Sequence, residues 1–209
     1  MQEPEMSTLW VRPARPDERL PLYRMLELYQ HDLSDVWDQD LDAHGEYGYA
    51  LDNYWGQAGH QAFVFQVAGH YAGFALVDAG PGPISQLALG PGPEGLPLNV
   101  PNVPTDAPTD APTDAPTDAS AQPPSFWMAQ FFVLRKYRRC GVGRAAACEL
   151  FSALPGRWQV GQMPLNLPAQ AFWRRVIGAC TGGRFVEQRI DSGAWQGVLQ
   201  SFDNRPPAA

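Results

Sequence analysis

Residues 79–124 hold twelve of the chain's 21 prolines and no aromatic side chain, and within them Pro-Thr-Asp-Ala recurs four times in tandem from Pro104 to Ala119. Proline fixes φ and removes a backbone donor, so such a stretch favours extended, solvated conformations. Its period of four is far below the roughly 20 residues a solenoid unit needs. The segment contributes nothing to a core, and the fold must come from its flanks. These are 78 residues before it and 85 after, each near the lower size limit for an independent core. The expectation is one domain over residues 1–209 with a disordered insertion at 79–124, rather than two domains joined by a linker.

Either side of the insertion the patterning alternates strand and helix. Leu9-Trp10-Val11-Arg12 reads as a strand, and a helix is expected from Asp17 to His31 with Leu20, Tyr23, Leu26, Leu28 and Tyr29 as its apolar positions. Gln61–Val67 and Tyr71–Val77 read as strands joined by a tight turn around Gly69-His70. After the insertion come a strand at Trp127–Leu134, a helix from Gly141 to Leu154 stopped by Pro155-Gly156, and a strand at Arg157–Gln162. A helix opened by Pro168 and closed at Gly178, then strands at Arg184–Arg189 and Trp195–Ser201, complete the chain. This order predicts a mixed α/β domain, a sheet with helices on its faces.

With 44% apolar and 18% charged residues, the chain is neither wholly disordered nor a rod. No apolar run reaches the roughly 20 residues of a membrane span, and Met1-Gln2-Glu3-Pro4-Glu5 is acidic where a leader is basic; a cytoplasmic protein without membrane contact is expected. The three cysteines, Cys140, Cys148 and Cys180, cannot all pair and form no C-x-x-C, so they read as free thiols. His31, His44, His60 and His70 have no metal-ligand spacing and read as surface or turn residues, with no metal expected.

Net charge is −7, unevenly distributed. Residues 1–90 carry thirteen carboxylates against four arginines, residues 91–124 five carboxylates and no base, and residues 125–209 eleven bases against four carboxylates. A chain with a pI near 5.0 and one basic cluster, Arg135–Arg144, does not suit nucleic acid. The division into an acidic and a basic half does suit an anionic ligand at one end and a cationic one at the other.

That cluster follows a strand and opens a helix: Phe132-Val133-Leu134-Arg135-Lys136-Tyr137-Arg138-Arg139-Cys140-Gly141-Val142-Gly143-Arg144. Glycine lets an anion approach the backbone, and the first helical N–H groups lack partners. A pyrophosphate is the ligand this arrangement fits. No Walker loop occurs. Gly141-Val142-Gly143-Arg144-Ala145-Ala146 matches the dinucleotide G-x-G-x-x-A, but six residues separate Leu134 from Gly141 and the next strand, Arg157–Gln162, lacks a terminal acid for a ribose.

A third pattern, R/Q-x-x-G-x-G/A, is met by Arg138, Gly141 and Gly143. With the preceding strand it resembles the acetyl-CoA-binding motif of the GNAT N-acetyltransferase superfamily, closest to uncharacterised bacterial members. Asn166-Leu167-Pro168-Ala169-Gln170-Ala171-Phe172-Trp173 resembles that superfamily's N-x-x-A-x-x-x-Y segment. The resemblance implies a mixed, mostly antiparallel sheet with a V-shaped splay between the fourth and fifth strands. It implies acetyl-CoA as cofactor, with Phe132, Val133 and Leu134 pairing with pantetheine and Arg138, Arg139, Cys140, Gly141, Val142, Gly143 and Arg144 around the pyrophosphate. Asn166, Phe172 and Trp173 are then expected near the thioester. The acceptor it implies is an amine, on a small molecule or a protein, and the superfamily also admits homodimers.

Direct transfer needs a neutral amine. For a lysine-like amine with pKa about 10.4, this costs roughly 4–5 kcal/mol at pH 7, so a base or desolvating pocket is required. Gln130 occupies a strand position where many relatives carry a glutamate base, and Trp173 stands where the acid tyrosine lies; neither does that chemistry. The catalytic groups therefore stay unassigned, and a CoA-binding regulatory or interaction module is the alternative. Amine recognition is expected from the acidic, aromatic stretch containing Asp32, Asp35, Asp38, Asp40, Asp42, Glu46, Tyr47, Tyr49, Tyr54 and Trp55. Glu46, Tyr49 and Gln130 are the substrate-side candidates.

Overall fold

A computed structural model describes residues 9–80, 82, 123–192 and 195–206. The Pro-Thr-Asp-Ala tract and the acidic amino end lie outside them. Among the described residues seven strands form one sheet: β1 (Leu9–Pro13), β2 (His60–Val67), β3 (His70–Ala79), β4 (Ser125–Val133), β5 (Arg157–Gln162), β6 (Val186–Ile190) and β7 (Gly197–Asp203). Their order is β1-β2-β3-β4-β5-β7-β6, antiparallel throughout except for the parallel β4–β5 pair. Strands from both flanks of the proline-rich stretch share this sheet, because β3 pairs with β4 along its length.

Four helices cover the sheet: α1 (Arg19–Trp37), α2 (Asn53–Gly56), α3 (Val142–Ala153) and α4 (Leu167–Thr181). Period-two alternation splits the apolar strand residues between two cores. Phe65, Met128, Leu150, Phe151, Trp158 and Ile177 are buried on the α3/α4 side. Leu22, Leu26, Val64, Phe74, Leu76 and Phe132 are buried on the α1 side.

The helix α1 runs six residues beyond the expected end, to an αL cap at Asp38 with φ 50°. Nothing in Asp32–Trp37 breaks a helix, and Trp37 packs edge-on against Tyr29 at 5.9 Å. Its buried face is Leu22, Met25 and Leu26, while Leu20 and Leu28 are exposed, so the expected stripe is rotated. The β2–β3 turn is Ala68-Gly69, with φ of 50° and 79°, the double positive φ that suits a right-twisted hairpin. The strands β6 and β7 each start two residues later than expected; before β7, Trp195 instead packs edge-on against Trp127.

At the entrance to α1, Glu18 is buried yet satisfied. Both its carboxylate oxygens take Arg12 Nη groups at 2.7 Å, the Tyr71 hydroxyl donates at 2.8 Å and the Arg15 N–H at 2.9 Å. These bonds, Arg12's first, outweigh burial and hold the Glu18 carboxyl at about 2. The reading of three free thiols is corrected on the other face. Cys148 of α3 and Cys180 of α4 form a disulfide with Cα atoms 6.1 Å apart, because the two helices pack side by side there, and Cys140 remains free.

Candidate functional site

The parallel ladder between β4 and β5 is short. It runs from Ser125↔Arg157 to Met128↔Val160 and stops, while β4 continues to Val133 and β5 stays with β7 through Gln162↔Val198. This is the expected splay. At its apex β4 has a bulge, since Met128 pairs with Val77 and Gln130 with Leu76, leaving Ala129 unmatched; bulges re-aim side chains at such places.

Beyond the bulge, alternate peptide groups of β4 face β3 or the fork. The Leu134 N–H donates to Ala72 at 2.8 Å, and the Phe132 carbonyl oxygen lies against Gly73. Both therefore serve the β3 ladder, and the Phe132 ring is buried in the α1-side core. Phe131 and Val133 turn their amide groups to the open edge. Of the three residues expected to pair with pantetheine, only Val133 offers its peptide group there, and Phe131 is the neighbour missing from that set.

The strand then passes a 3-10 turn at Arg135–Tyr137 and enters α3 at Gly141. Gly141 has φ 86°, a left-handed conformation that costs most L residues roughly 1–2 kcal/mol. The first N–H with a helical partner is that of Ala145, on the Gly141 carbonyl at 3.0 Å. The N–H groups of Val142, Gly143 and Arg144 are thus left at the positive end of the helix dipole. Val142 is buried, its side chain packed in the α3/α4-side core. A Cβ at Gly143 would lie 3.3 Å from the Phe172 ring and 3.5 Å from Val133, so the loop sits tightly on α4 and β4. Cys140 donates its thiol to the Tyr137 carbonyl at 2.9 Å.

The arginines divide into two sets. Arg138 donates Nε to the Val133 carbonyl at 2.7 Å and an Nη to Asp32, and lies 5.4 Å from the Phe132 ring centroid. Arg135 reaches the same Asp32 at 2.6 Å. Burial raises the Asp32 carboxyl, but the two guanidiniums outweigh it and hold it below its ordinary value. Asp32, named in the acidic stretch expected to recognise an amine, braces α1 to the basic loop. Arg139 and Arg144 are exposed and have no carboxylate partner among the described residues.

On α4, Asn166 caps the helix, its Oδ1 accepting from the Ala169 N–H at 3.2 Å. Phe172 stacks beside Phe131 at 6.0 Å and meets the glycine loop. Trp173 is buried among Phe131, Phe151 and Phe172. One residue of helix turns it about 100° from Phe172, toward the sheet.

The opposite face carries the acceptor-side candidates. Gln130 lies on it, opposite Leu76. Tyr49 lines a cleft of about 540 Å³ with Pro16, Asp17, Tyr23 and Asp52. Glu46 is exposed and accepts from the Tyr23 hydroxyl at 2.8 Å. Asp42 folds into its own loop, taking the His44 and Glu46 N–H groups at 2.8 and 2.9 Å.

One constellation was invisible in the sequence. His60 Nδ1 lies 2.9 Å from Asp78 Oδ1 across the β2–β3 ladder. The Tyr54 ring stands edge-on to the imidazole at 5.4 Å, and its hydroxyl touches Asp78 and Tyr49. Burial first, then Tyr49 and Asp78, pushes that hydroxyl well above its ordinary value. No local pattern links residues 49, 54, 60 and 78; only strand register assembles them.

No family model and no curated protein matches the sequence. Solved structures do match the fold. A protein described as histone acetyltransferase HPA2 and related acetyltransferase from Corynebacterium glutamicum superposes with a TM-score of 0.57 at 15% identity, covering 97% of this chain and 99% of that one. A GNAT-family acetyltransferase from Streptococcus agalactiae gives 0.56 at 14% identity, covering 93% of each chain. An acetyltransferase from Thermus thermophilus gives 0.54 at 14%, covering 94% and 97%. The strand order, the fork beyond Met128 and Val160, and the strand–loop–helix unit beside it give this chain the GNAT fold.

Proposed function

We propose that this chain is a single domain, interrupted by the insertion at 79–124, that binds acetyl-CoA in the fork and transfers its acetyl group to an amine. The observation that carries this reading is the open edge of β4 beside the start of α3. Phe131 offers its N–H and carbonyl, and Val133 its N–H, at the spacing of a strand partner, while the Val133 carbonyl is taken by Arg138. Three helix-terminal N–H groups from Val142 to Arg144 lie just beyond. A pantetheine arm is an extended chain with two amide groups, and a pyrophosphate is the anion a helix start accepts.

In this arrangement the backbone of 142–144 and the unpaired Arg139 and Arg144 hold the diphosphate, while Arg138 shapes the loop. Phe172 closes the fork from the α4 side. The amine enters from the α1 side, where carboxylates outnumber bases. Attack on the thioester carbonyl forms the amide and releases the CoA thiol.

Calorimetric titration with CoA and a thiol-release assay against a panel of amines test the reading. Micromolar binding with turnover of at least one amine is expected; absence of heat with CoA overturns it. The second reading, a CoA-binding regulatory module, is favoured by Gln130 and the buried Trp173, which supply neither base nor acid. It predicts binding without turnover.

A further inference from the structure

We propose that the Cys148–Cys180 disulfide is a thiol-exchange site through which a dithiol reductant lowers the protein's affinity for CoA. The inference goes beyond acetyl transfer but rests on the CoA-binding reading above, because CoA is the ligand whose hold it changes.

The bond joins the two helices that flank the proposed cofactor site. On α3, Cys148 stands four residues after Arg144, the last of the three residues with free N–H groups, which is about 6 Å of helix. On α4, Cys180 stands eight residues after Phe172, about 12 Å along the axis. Phe172 is the side chain that α4 lays on the glycine loop, where a Cβ at Gly143 would lie 3.3 Å from its ring. The spacing of α3 from α4 therefore sets how tightly the loop is backed.

Little besides the disulfide fixes that spacing at the carboxyl end of α4. Gly178 lies in its last turn, and Gly182 and Gly183 end it with φ of 63° and 81°, so intrinsic helix preference there is weak. A Cβ at Gly178 would meet only Phe185, at 3.8 Å. Among the described residues no ion pair joins α3 to α4. Phe151 and Trp173 pack across the interface with centroids 6.2 Å apart, but aromatic faces slide, whereas the bond holds two Cα atoms 6.1 Å apart. Both cysteines are partly exposed, and exposed disulfides are the ones open to exchange.

In the step itself, one thiolate of the dithiol attacks a sulfur of the bridge. The S–S bond breaks, a mixed disulfide forms, and the other cysteine leaves as a thiolate that takes a proton. The reductant's second thiol then displaces the first cysteine. Cys148 and Cys180 gain two electrons and two protons, and the dithiol becomes a disulfide. With the bridge open, the end of α4 parts from α3, Phe172 presses less closely on Gly143, and the N–H groups of residues 142–144 lose their fixed setting.

The test compares the full chain oxidised with the same chain reduced by dithiothreitol under native conditions and freed of excess reductant without air. The ligand is acetyl-CoA, whose blocked sulfur does not exchange with the bridge. Calorimetry is expected to show an affinity about tenfold lower in the reduced state, within the usual range for two coupled sites, and regained on reoxidation. The double variant Cys148→Ser with Cys180→Ser is expected to bind like reduced wild type and to ignore dithiothreitol, which separates the bridge from Cys140. Coupling is reciprocal, so saturating acetyl-CoA should make the wild-type bridge harder to reduce by the same factor in a reduced–oxidised dithiothreitol buffer. That measurement decides the case if the double variant melts early, and a purely structural brace would not produce it. Equal affinity in both states, even with a lower melting temperature on reduction, overturns the proposal and leaves the CoA reading standing. A bridge that opens only in denaturant also overturns it. No heat with acetyl-CoA in either state overturns the proposal and the cofactor reading together.

Discussion

The glycine loop before α3 and the polar cluster beside α1 and α2 are built on opposite principles. The loop is a backbone device: a positive φ at Gly141, three unpaired N–H groups and a glycine at 143 against Phe172 define it. The second region is made of side chains. Glu18 gathers Arg12, Arg15 and Tyr71, and Asp78 gathers His60 and Tyr54, each drawing on separate elements. A backbone device needs particular residues in a row, while a side-chain device needs them only to meet after folding.

The largest expected effect tests the side-chain region. Glu18→Ala strands Arg12 and should destabilise the protein by about 3 kcal/mol, in the range for breaking one partner of a buried pair, read as a lowered denaturant midpoint with unchanged m. The pH dependence has a definite sign. Glu18's pKa is depressed from 4.5 to about 2 by folding, so its contribution, about 3 kcal/mol at 1.36 kcal/mol per unit, is complete above pH 4.5. It is lost as pH falls toward 2, and the variant should lack that part of the acid transition.

An intermediate effect tests the loop. Gly141→Val forces a β-branched residue to a φ of 86° and should weaken CoA binding at least tenfold by calorimetry, with a smaller loss of stability. If affinity stays at the wild-type level, the loop's conformation is not what holds the ligand.

The smallest effect lies where the two regions touch. Asp32→Asn frees Arg135 and Arg138, pairs exposed enough to contribute roughly 0–1 kcal/mol to stability. Removing that carboxylate beside the proposed diphosphate site should tighten CoA binding a few-fold at low salt, and the gain should vanish near 1 M salt, where charges are screened within about 3 Å. A gain that persists at high salt would contradict an electrostatic origin.

This contrast explains what was legible beforehand. The order of strands and helices and the loop were readable, because alternation, helix stops and the Arg138-Gly141-Gly143 spacing are local, while the fork entered only as what the resemblance of that loop implied. The rotated face of α1 was not, since Leu20 and Leu22 are equally apolar and only the packing against Val64 and Phe74 decides between them. The Cys148–Cys180 bond required knowing that α3 and α4 lie side by side. Asp32 looked like one acid among many until α1 carried it to Arg138. His60 and Asp78 are eighteen residues apart in the chain and carry no shared pattern; a one-residue slip of the β2–β3 register would separate them.

The edge that β4 presents beyond Met128 is made of peptide atoms, which every non-proline residue possesses. Replacing the side chains above it changes its shape but leaves its donors and acceptors in place. Such a surface is hard to erase by drift: it disappears only if something fills the gap or the neighbouring strand closes over it. A chain at 15% identity to a solved structure of the same fold can therefore keep an open strand edge with almost none of the same residues lining it.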